Sequence, residues 1–512
     1  MIDIFIVLIY FLVVFLSAFS FKSKNMTSEE YFLSSRNLKW PSIAISTIAT
    51  NIQGYQFLGM MGSAYLFGIA QASLEINAIQ GLFIAAFIFV PFFLKEKIFT
   101  ISQFIKIKLG KSLSYTYSLT YLLFYSTITI GAALFWGAYA ADAVFNEELS
   151  FISESRIIRI GILIIFLGFF SAIYTYFGGL SAVVKTDIIQ FTILTLGGLL
   201  ILGVTLYHIG GWNKLYELSP EKMHLFLPSD HEFLPWTHIL GLFFLNINYW
   251  CGNQIVMQRS IAAKSLGHAQ AGLMVGGLLK YLMALIIIIP GVALYNLNPE
   301  LFSEPDIAYP YIIKNYIPVG LKGIILCGLF ASLMSTVDST FNSIATLWSI
   351  DIYSQFINKR ATSLEQINAG KKSIIGSLFS GLTMSFIFLN IKFNSPEIAF
   401  THTLNELRYV IFSGLILLIC LTILLIKPKS KTILICFVST ILTYILIKVL
   451  FPEINYFLRT FISVSIWLLI SILININSLN SFKNIFVYHS IKHRNFGLAV
   501  LISLIIVNII FR

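Results

Sequence analysis

Long apolar runs separated by short polar loops fill the chain from end to end. A helix needs about 20 apolar residues to cross the hydrocarbon core of a bilayer, so each run predicts one membrane-spanning helix. The pattern predicts fourteen spans, at about residues 2–21, 40–67, 72–94, 112–144, 157–177, 181–207, 236–257, 270–296, 318–349, 373–391, 399–426, 432–451, 457–475 and 495–511. The loops between them give no room for a soluble domain. We therefore predict one all-α polytopic membrane domain over residues 1–512.

The composition excludes other classes of protein. Hydrophobic residues make up 57% of the chain and charged residues only 11%, whereas a soluble domain has about 25% charged residues. Such a surface would aggregate in water, which excludes a soluble enzyme and a disordered chain. The four cysteines have no metal-binding spacing, so we expect neither a metal centre nor structural disulfides. The first apolar run lacks a basic start and a cleavage motif, so we interpret it as a retained helix.

The basic residues predict an orientation. The net charge of +11 comes without a basic arm, so no nucleic-acid partner is expected. If the first helix runs from outside to inside, 22 of the 34 Lys and Arg residues fall in cytoplasmic segments and ten in outer segments. The other two, Lys280 and Arg408, lie within spans. This bias is typical of a cytoplasmic-membrane protein, and the even number of spans places both termini outside.

Two predicted spans are interrupted near their middle by polar residues and glycine. The second contains Ser46–Gly59 and the seventh contains Asn246–Gln254. Interrupted helices at corresponding places in two halves indicate the midplane site of a transporter, where unwound backbone can bind a cation or a solute. The alternative is that small and polar residues only allow close packing of helices.

Charged residues inside spans are the next candidates. Glu75 lies near the start of the third span and Lys280 about one-third of the way into the eighth. Each would cost about 2.5–3.5 kcal/mol in lipid, so each must face a cavity or a partner. Contact with a solute is one interpretation, and a structural ion pair or extension to the membrane interface is the other.

The ninth and sixth spans carry oxygen-rich faces. Ser332, Ser335 and Thr336 share one face of the ninth span, and their oxygens suit a hard monovalent cation. Hydroxyls that bond the preceding helical turn are the alternative. Asp338 follows and is expected to need a counter-charge. Asp187, in the sixth span, is a candidate for a gate with an inner basic residue or for approach to a cation.

These segments together resemble the solute:sodium symporter family, and within it the sodium/sugar (galactose or glucose) branch. The resemblance covers roughly residues 28–355. The matching motifs are Glu30-Tyr-Phe-Leu with Arg36, Ala49-Thr-Asn-Ile52, Gln56-Phe-Leu-Gly-Met60, Gly178-Gly-Leu-Ser-Ala-Val with Thr186-Asp187 and Gln190, Asn253-Gln254 with Gln258-Arg259 and Ala262-Ala-Lys-Ser265, and Ser335-Thr336 with Asp351-Ile-Tyr353.

The resemblance implies a LeuT-type inverted repeat of five plus five helices. The first repeat would be residues 40–207 and the second 236–426, with a leading helix and inner loop at 1–39 and three trailing helices in 427–512. It implies a sodium site made of the Ala49, Ile52 and Ser332 carbonyls and the Ser335 and Thr336 hydroxyls. It also implies sugar contacts at Gln56, Glu75, Asn246 and Lys280, with Tyr249 as the inner gate, followed by Trp250 as in the sugar branch.

Some positions depart from the family pattern. Leu74 stands where an outer-gate aromatic residue is expected, and Ala78 where a hydroxyl is expected. In the eleventh span Asn405 is the nearest candidate for the sugar-contacting amide. Asp338 together with Asp187 leaves open a second sodium site.

We therefore predict sodium-coupled import of a galactose- or glucose-like sugar by alternating access between the two sides of the membrane. The partners expected are the sugar, Na⁺ and the lipid bilayer, with no obligatory protein partner. Another solute on the same fold (inositol, sialic acid, an amino acid or a carboxylate) is the first alternative, and a membrane sensor or channel is the second. An intramembrane enzyme is not expected, because the histidines form no HExxH or Ser/His arrangement.

Overall fold

Helices make up nearly all of the described chain. The computed structural model describes residues 2–19, 26–53, 56–231, 234–299, 307–394, 400–426, 428–481 and 485–512, apart from the side chains at 400–405 and 407. Its principal helices are α1 (Ile2–Phe19), α2 (Ser28–Leu33), α3 (Trp40–Asn51), α4 (Gln56–Lys95), α5 (Ile101–Leu109), α6 (Lys111–Phe145), α7 (Arg156–Ile209), α8 (Trp212–Leu218), α9 (His238–Cys251), α10 (Gln254–Ile261), α11 (Leu266–Leu297), α12 (Ala308–Tyr316), α13 (Leu321–Ile357), α14 (Ser363–Asn394), α15 (Phe400–Leu424), α16 (Ser430–Leu450), α17 (Tyr456–Ile474) and α18 (Ile491–Ile510).

The helices account for the fourteen predicted spans in a different grouping. Within the described chain, ten helices are long and apolar enough to cross a membrane. One of them, α7, is a run of 54 residues in which two helices, the fifth and sixth predicted spans, meet at a kink at Gly179. The second span is divided between α3 and the start of α4, and the seventh between α9 and α10. The apolar part of α15 (Arg408–Leu424) is shorter than a full span.

The most enclosed helix is α13. In its most apolar 18-residue window 94% of residues are buried, compared with 17% in α18. It packs against α1, α3, α6, α7 and α14. Because α13 carries many Ser, Thr, Gly and Ala residues, neighbouring helices can approach it closely. The centre of the bundle is therefore the polar ninth span.

Both predicted helix interruptions are present. After Asn51, Ile52 is extended (φ −78°, ψ 106°) and the helix resumes at Gln56. In the seventh span the chain breaks at Gly252, and Asn253 caps α10 by accepting a hydrogen bond from the Ile255 amide at 2.9 Å. Polar side chains replace backbone partners at these breaks, which is what permits them inside a membrane protein.

The joint within α7 depends on one glycine. Gly179 has a φ of +55°, a conformation that residues with a Cβ rarely adopt. A Cβ at this position would lie 2.3 Å from the Tyr31 carbonyl oxygen. The Tyr31 hydroxyl in turn donates to the Tyr176 carbonyl at 3.0 Å. Helix α2 is thereby fixed against the joint between the fifth and sixth spans.

A carboxylate from α1 caps the start of α13. Asp3 is buried, and its Oδ1 accepts hydrogen bonds from the Gly320 amide at 3.0 Å and the Gly323 amide at 2.5 Å. The first amides of a helix have no partner within it and carry partial positive charge. Asp3 satisfies two such amides of the central helix.

Candidate functional site

A buried group of polar side chains lies beside the break between α3 and α4. Lys280 from α11 forms an ion pair with Glu75 at 2.5 Å. The side-chain amide of Gln56 donates through Nε2 to the other Glu75 oxygen at 2.8 Å. All three residues are at most 5% exposed. None of the three faces lipid. Glu75 and Lys280 were each expected to face a cavity or a partner, and each has the other as its partner.

Two further residues extend this group to the second broken helix. Lys280 donates to the Asn51 side-chain oxygen, and Asn51 donates through Nδ2 to the Tyr249 hydroxyl at 3.0 Å. Asn51 is the last residue of α3 and Tyr249 lies in α9. We call Asn51, Gln56, Glu75, Tyr249 and Lys280 the polar cluster. It connects both interrupted helices through side chains alone.

The other predicted solute contacts lie around the cluster. Asn246 donates to the Asn77 carbonyl at 2.9 Å, two residues beyond Glu75. The Lys280 ammonium lies 5.3 Å from the Trp250 ring centroid, within range of a cation–π attraction. Asn405 belongs to α15, but its side chain lies outside the described part of the chain.

The predicted sodium ligands are grouped by the same break. In a continuous helix the Ala49 and Ile52 carbonyls would accept from the amides four residues later. Here the backbone N–H of Gln53 donates to the side-chain oxygen of Gln56 at 2.8 Å. The backbone N–H of Gln56 donates to the backbone carbonyl of Gln53 at 2.9 Å. The break thus gives both amides other partners, so neither carbonyl accepts the hydrogen bond that a continuous helix would supply.

The α13 side of this predicted site lies against α3. The Thr336 hydroxyl is 3.3 Å from the Thr50 carbonyl and 3.2 Å from the Ser332 carbonyl. The Ser335 hydroxyl donates to Asp187 at 2.5 Å. The structure therefore brings the predicted ligand residues of α3 and α13 together and adds a carboxylate beside them. Hydroxyl and carbonyl oxygens are ligands suited to Na⁺.

Asp187 has a basic partner that sequence reasoning did not assign to the site. The Arg259 guanidinium lies 3.3 Å from Asp187 and also donates to the hydroxyls of Ser46, Thr50 and Ser339. Both charged side chains are fully buried. Arg259 comes from α10, just after the second helix break. The sequence signal for it was the Gln258-Arg259 motif, quoted for the resemblance but not given a role.

Asp338 lies beside the same arginine. The groups that hydrogen-bond it within the described chain are hydroxyls, from Tyr174 at 2.5 Å and Ser339 at 3.2 Å, and such bonds can satisfy a buried carboxyl. The Arg259 guanidinium, which forms its ion pair with Asp187, also donates to Ser339 and interacts with Asp338 through its charge.

A cavity lies on the other side of Tyr249. It is bordered by both breaks, by α6 and by α15, and its lining residues are Thr50, Gln53, Phe124, Tyr125, Ile128, Thr129, Ala132, Trp136, Tyr249, Asn253, Ile255, Thr336, Arg408 and Phe412. Helix α6 widens into a π-helical turn at Tyr125–Thr129 along this wall, a distortion often found at functional sites. The cavity lies near mid-length of α6, α13 and both interrupted spans. In the sequence, Arg408 is recognisable only as a charge within a span.

A helical membrane bundle with two interrupted helices around buried polar groups is typical of a secondary transporter. Residues 31–390 match the sodium:solute symporter family. The chain belongs to this family: it is a sodium-coupled transporter of a small solute and not an enzyme.

Curated relatives and solved structures agree with this assignment. The chain is 31% identical over 385 residues to a sodium/glucose cotransporter of Vibrio parahaemolyticus, covering 70% of this chain and 69% of that protein. It is 29% identical over 417 residues to a sodium/myo-inositol cotransporter of Bos taurus, covering 72% of this chain and 56% of that longer protein. A Na⁺-coupled sialic acid symporter in an outward-open state has a TM-score of 0.80 at 20% identity, covering 94% of this chain and 99% of that one. The fold is accordingly of the LeuT type, as predicted.

Proposed function

We propose that this protein imports a sugar together with sodium by alternating access. The polar cluster is the observation that carries the proposal. Its amides, carboxylate, ammonium and phenol are the donors and acceptors that sugar hydroxyls require. Gln56, Glu75 and Lys280 are buried, and Asn51 and Tyr249 are half-buried. The similarity to a sodium/glucose cotransporter supports a sugar as the solute.

The cluster and the sodium ligands share helix α3, which explains how the two could be coupled. Asn51 of the cluster lies between Ala49 and Ile52, whose carbonyls are candidate sodium ligands. A sodium ion bound between α3 and α13 would fix the end of α3 and with it Asn51. Each ligand then favours the conformation that the other binds, and the effect is reciprocal. In this proposal Tyr249, which accepts a hydrogen bond from Asn51, acts as the inner gate.

The test is uptake of labelled galactose and glucose into proteoliposomes. We expect accumulation with an inward sodium gradient, none when potassium replaces sodium, and loss of accumulation when a sodium ionophore is added.

Lys280→Ala should reduce uptake at least tenfold, because it removes the ammonium that joins Asn51 to Glu75. Lys322→Ala, a lysine outside the cluster whose ammonium contacts a backbone carbonyl, is the matched control.

Two results would contradict the proposal. One is sodium-independent uptake of the sugars; the other is uptake of neither sugar. In the second case myo-inositol is the next solute to test, because a ring polyol presents the same hydroxyl chemistry and the bovine relative is a myo-inositol cotransporter.

A further inference from the structure

Three tyrosines follow one another along one face of α6, and we call them the tyrosine ladder. Tyr117, Tyr121 and Tyr125 are spaced four residues apart, which places their side chains one helical turn after another. Successive ring centroids are 4.6 and 4.9 Å apart, and each side chain is at most 2% exposed. These residues belong neither to the polar cluster nor to the predicted sodium ligands.

Every hydroxyl of the tyrosine ladder donates a hydrogen bond to the second helix break. The bonds run from Tyr121 to the Asn248 side-chain oxygen at 3.3 Å, from Tyr117 to the Gly252 carbonyl at 2.7 Å, and from Tyr125 to the Asn253 side-chain oxygen at 2.7 Å. The end of α9, the break itself and the first cap of α10 are therefore all held against the same helix.

The break supplies the acceptors for these bonds. In a continuous helix the Gly252 carbonyl would accept from the amide four residues later, and here it accepts from Tyr117 instead. The Asn253 side-chain oxygen caps α10 and also accepts from Tyr125. A buried acceptor that loses its donor destabilises the conformation in which it is buried. The ladder therefore stabilises the break in its present position.

The ladder lies between the cavity and the predicted cytoplasmic face. Tyr125 lines the cavity. Tyr121 and Tyr117 follow one and two turns nearer to Lys111, which begins α6 at its predicted cytoplasmic end. The ring of Phe412, another cavity residue, packs on Tyr121 with a centroid distance of 5.5 Å. Buried aromatic rings thus close the space between α6 and the break on that side of the cavity.

We propose that the tyrosine ladder is the inner latch of the transport cycle, which holds the second helix break against α6 while the cavity is closed to the cytoplasm. The inference rests on the alternating access of the proposed function and adds positioning residues to it. Since Tyr249 directly follows Asn248, the ladder also fixes the segment that carries the proposed inner gate.

The latch acts through a difference between two conformations. Hydrogen bonds that exist in only one conformation shift the population toward it. When the break moves away from α6, water can donate to the same acceptors. Replacement of a ladder tyrosine by phenylalanine should therefore destabilise the closed conformation alone and favour opening toward the cytoplasm.

The experiment measures access to the cavity from each side of the membrane. Ala132→Cys places a reporter thiol on the cavity wall, and the four native cysteines are buried. A membrane-impermeant maleimide is applied to inside-out and to right-side-out vesicles that contain the full-length protein. We expect Tyr117→Phe, Tyr121→Phe and Tyr125→Phe each to raise the labelling rate from the cytoplasmic side at least threefold, and the triple variant at least tenfold, without a rise from the other side.

Tyr281→Phe is the matched control. Its hydroxyl bonds Ser503 at 2.9 Å between α11 and α18, away from the break. The loss of this bond should leave both labelling rates within twofold of the reporter protein. Each ladder substitution removes a single oxygen atom, and if one of the three variants does not fold, the other two carry the test.

The failures are distinguishable. Unchanged cytoplasmic labelling in the Phe variants would overturn the inference, as would a rise that is equal on both sides or confined to the opposite side. Galactose uptake is a separate readout: the same variants should raise the galactose concentration for half-maximal uptake, because a smaller fraction of the protein then faces outward. If the unsubstituted protein takes up no galactose, the proposed sugar is wrong, and the labelling still decides whether the ladder is a latch.

Discussion

Two serines of α13 illustrate how neighbouring residues take different roles. Ser332 and Ser335 lie three positions apart on the same helical face, and both were predicted to contribute to sodium binding. The Ser335 hydroxyl leaves its own helix to reach Asp187 at 2.5 Å. The Ser332 hydroxyl instead bonds the Leu329 carbonyl of its own helix at 3.2 Å. The Ser332 hydroxyl is therefore held within its own helix, and the backbone oxygen is the ligand predicted at this position.

This difference yields a paired test. Ser335→Ala should raise the sodium concentration for half-maximal uptake about tenfold, since a hydrogen bond or ligand to a charged group contributes about 1.5–3 kcal/mol. Ser332→Ala should leave it within about twofold, because the backbone carbonyl remains. The measurement is solute uptake as a function of sodium concentration. Equal effects of the two substitutions would contradict the difference between the serines, and an unchanged sodium dependence in Ser335→Ala would remove Ser335 from the site.

Among individual residues, the sequence identified charged side chains, whose transfer to lipid costs free energy. It did not identify the neutral side chains that contact them. Glu75 and Lys280 were recognisable because a charge inside a span demands a partner. Asn51 was part of a quoted motif, but its link from Lys280 to Tyr249 depends on side-chain directions after the helix break, which no local pattern encodes. The hydroxyl environment of Asp338 was missed for the same reason: Tyr174 lies on another helix, 164 residues away.

Helix interruptions are the part of the fold that local chemistry explains best. Polar and glycine-rich segments predicted both breaks, and the structure shows each break sealed by side-chain hydrogen bonds. The glycine pair also predicted the boundary between the fifth and sixth spans, and the structure confirms it. The helix is broken there at one residue, whose φ of 55° and ψ of −149° are not helical.

That residue, Gly179, can be tested against another glycine of the same helix. Gly179→Ala should destabilise the protein by about 1–3 kcal/mol or more, because it combines a positive φ with a close contact to the Tyr31 backbone. Gly203→Ala should be neutral or stabilising by up to about 1 kcal/mol, since a Cβ there meets nothing within 4 Å and alanine favours helix. Thermal unfolding of the purified protein in detergent measures both. A lower midpoint for Gly203→Ala than for Gly179→Ala would contradict this account.

For the whole molecule, the positive-inside count predicts which loops face the cytoplasm, and both termini remain predicted to be outside. The division into repeats at 40–207 and 236–426 likewise remains a prediction. The hydrophobic pattern was sufficient for the number and position of the helices, because lipid imposes a strong local rule on each span. It was insufficient for their packing, which depends on contacts between distant segments.

Cysteine labelling can test the orientation directly. All four native cysteines are buried, so a membrane-impermeant maleimide should give little background labelling. Asp230→Cys, in an exposed part of a predicted outer loop, should react in intact cells. Arg360→Cys, exposed in a predicted inner loop, should react only after the cells are permeabilised. The reverse pattern would invert the topology and place both termini inside.

The bond between Asp3 and the start of α13 has a consequence for biosynthesis. The acid and the amide of Gly320 are separated by 317 positions, which at 5 to 20 residues per second takes on the order of 15 to 60 s to translate. During that interval α1 has been synthesised, but the backbone amides that donate hydrogen bonds to its carboxylate have not. Helix α1 is thus synthesised first and fixed late. In a nascent chain that stalls before residue 320, the Asp3 carboxylate lacks these two hydrogen bonds, which distinguishes the incomplete chain from the finished transporter.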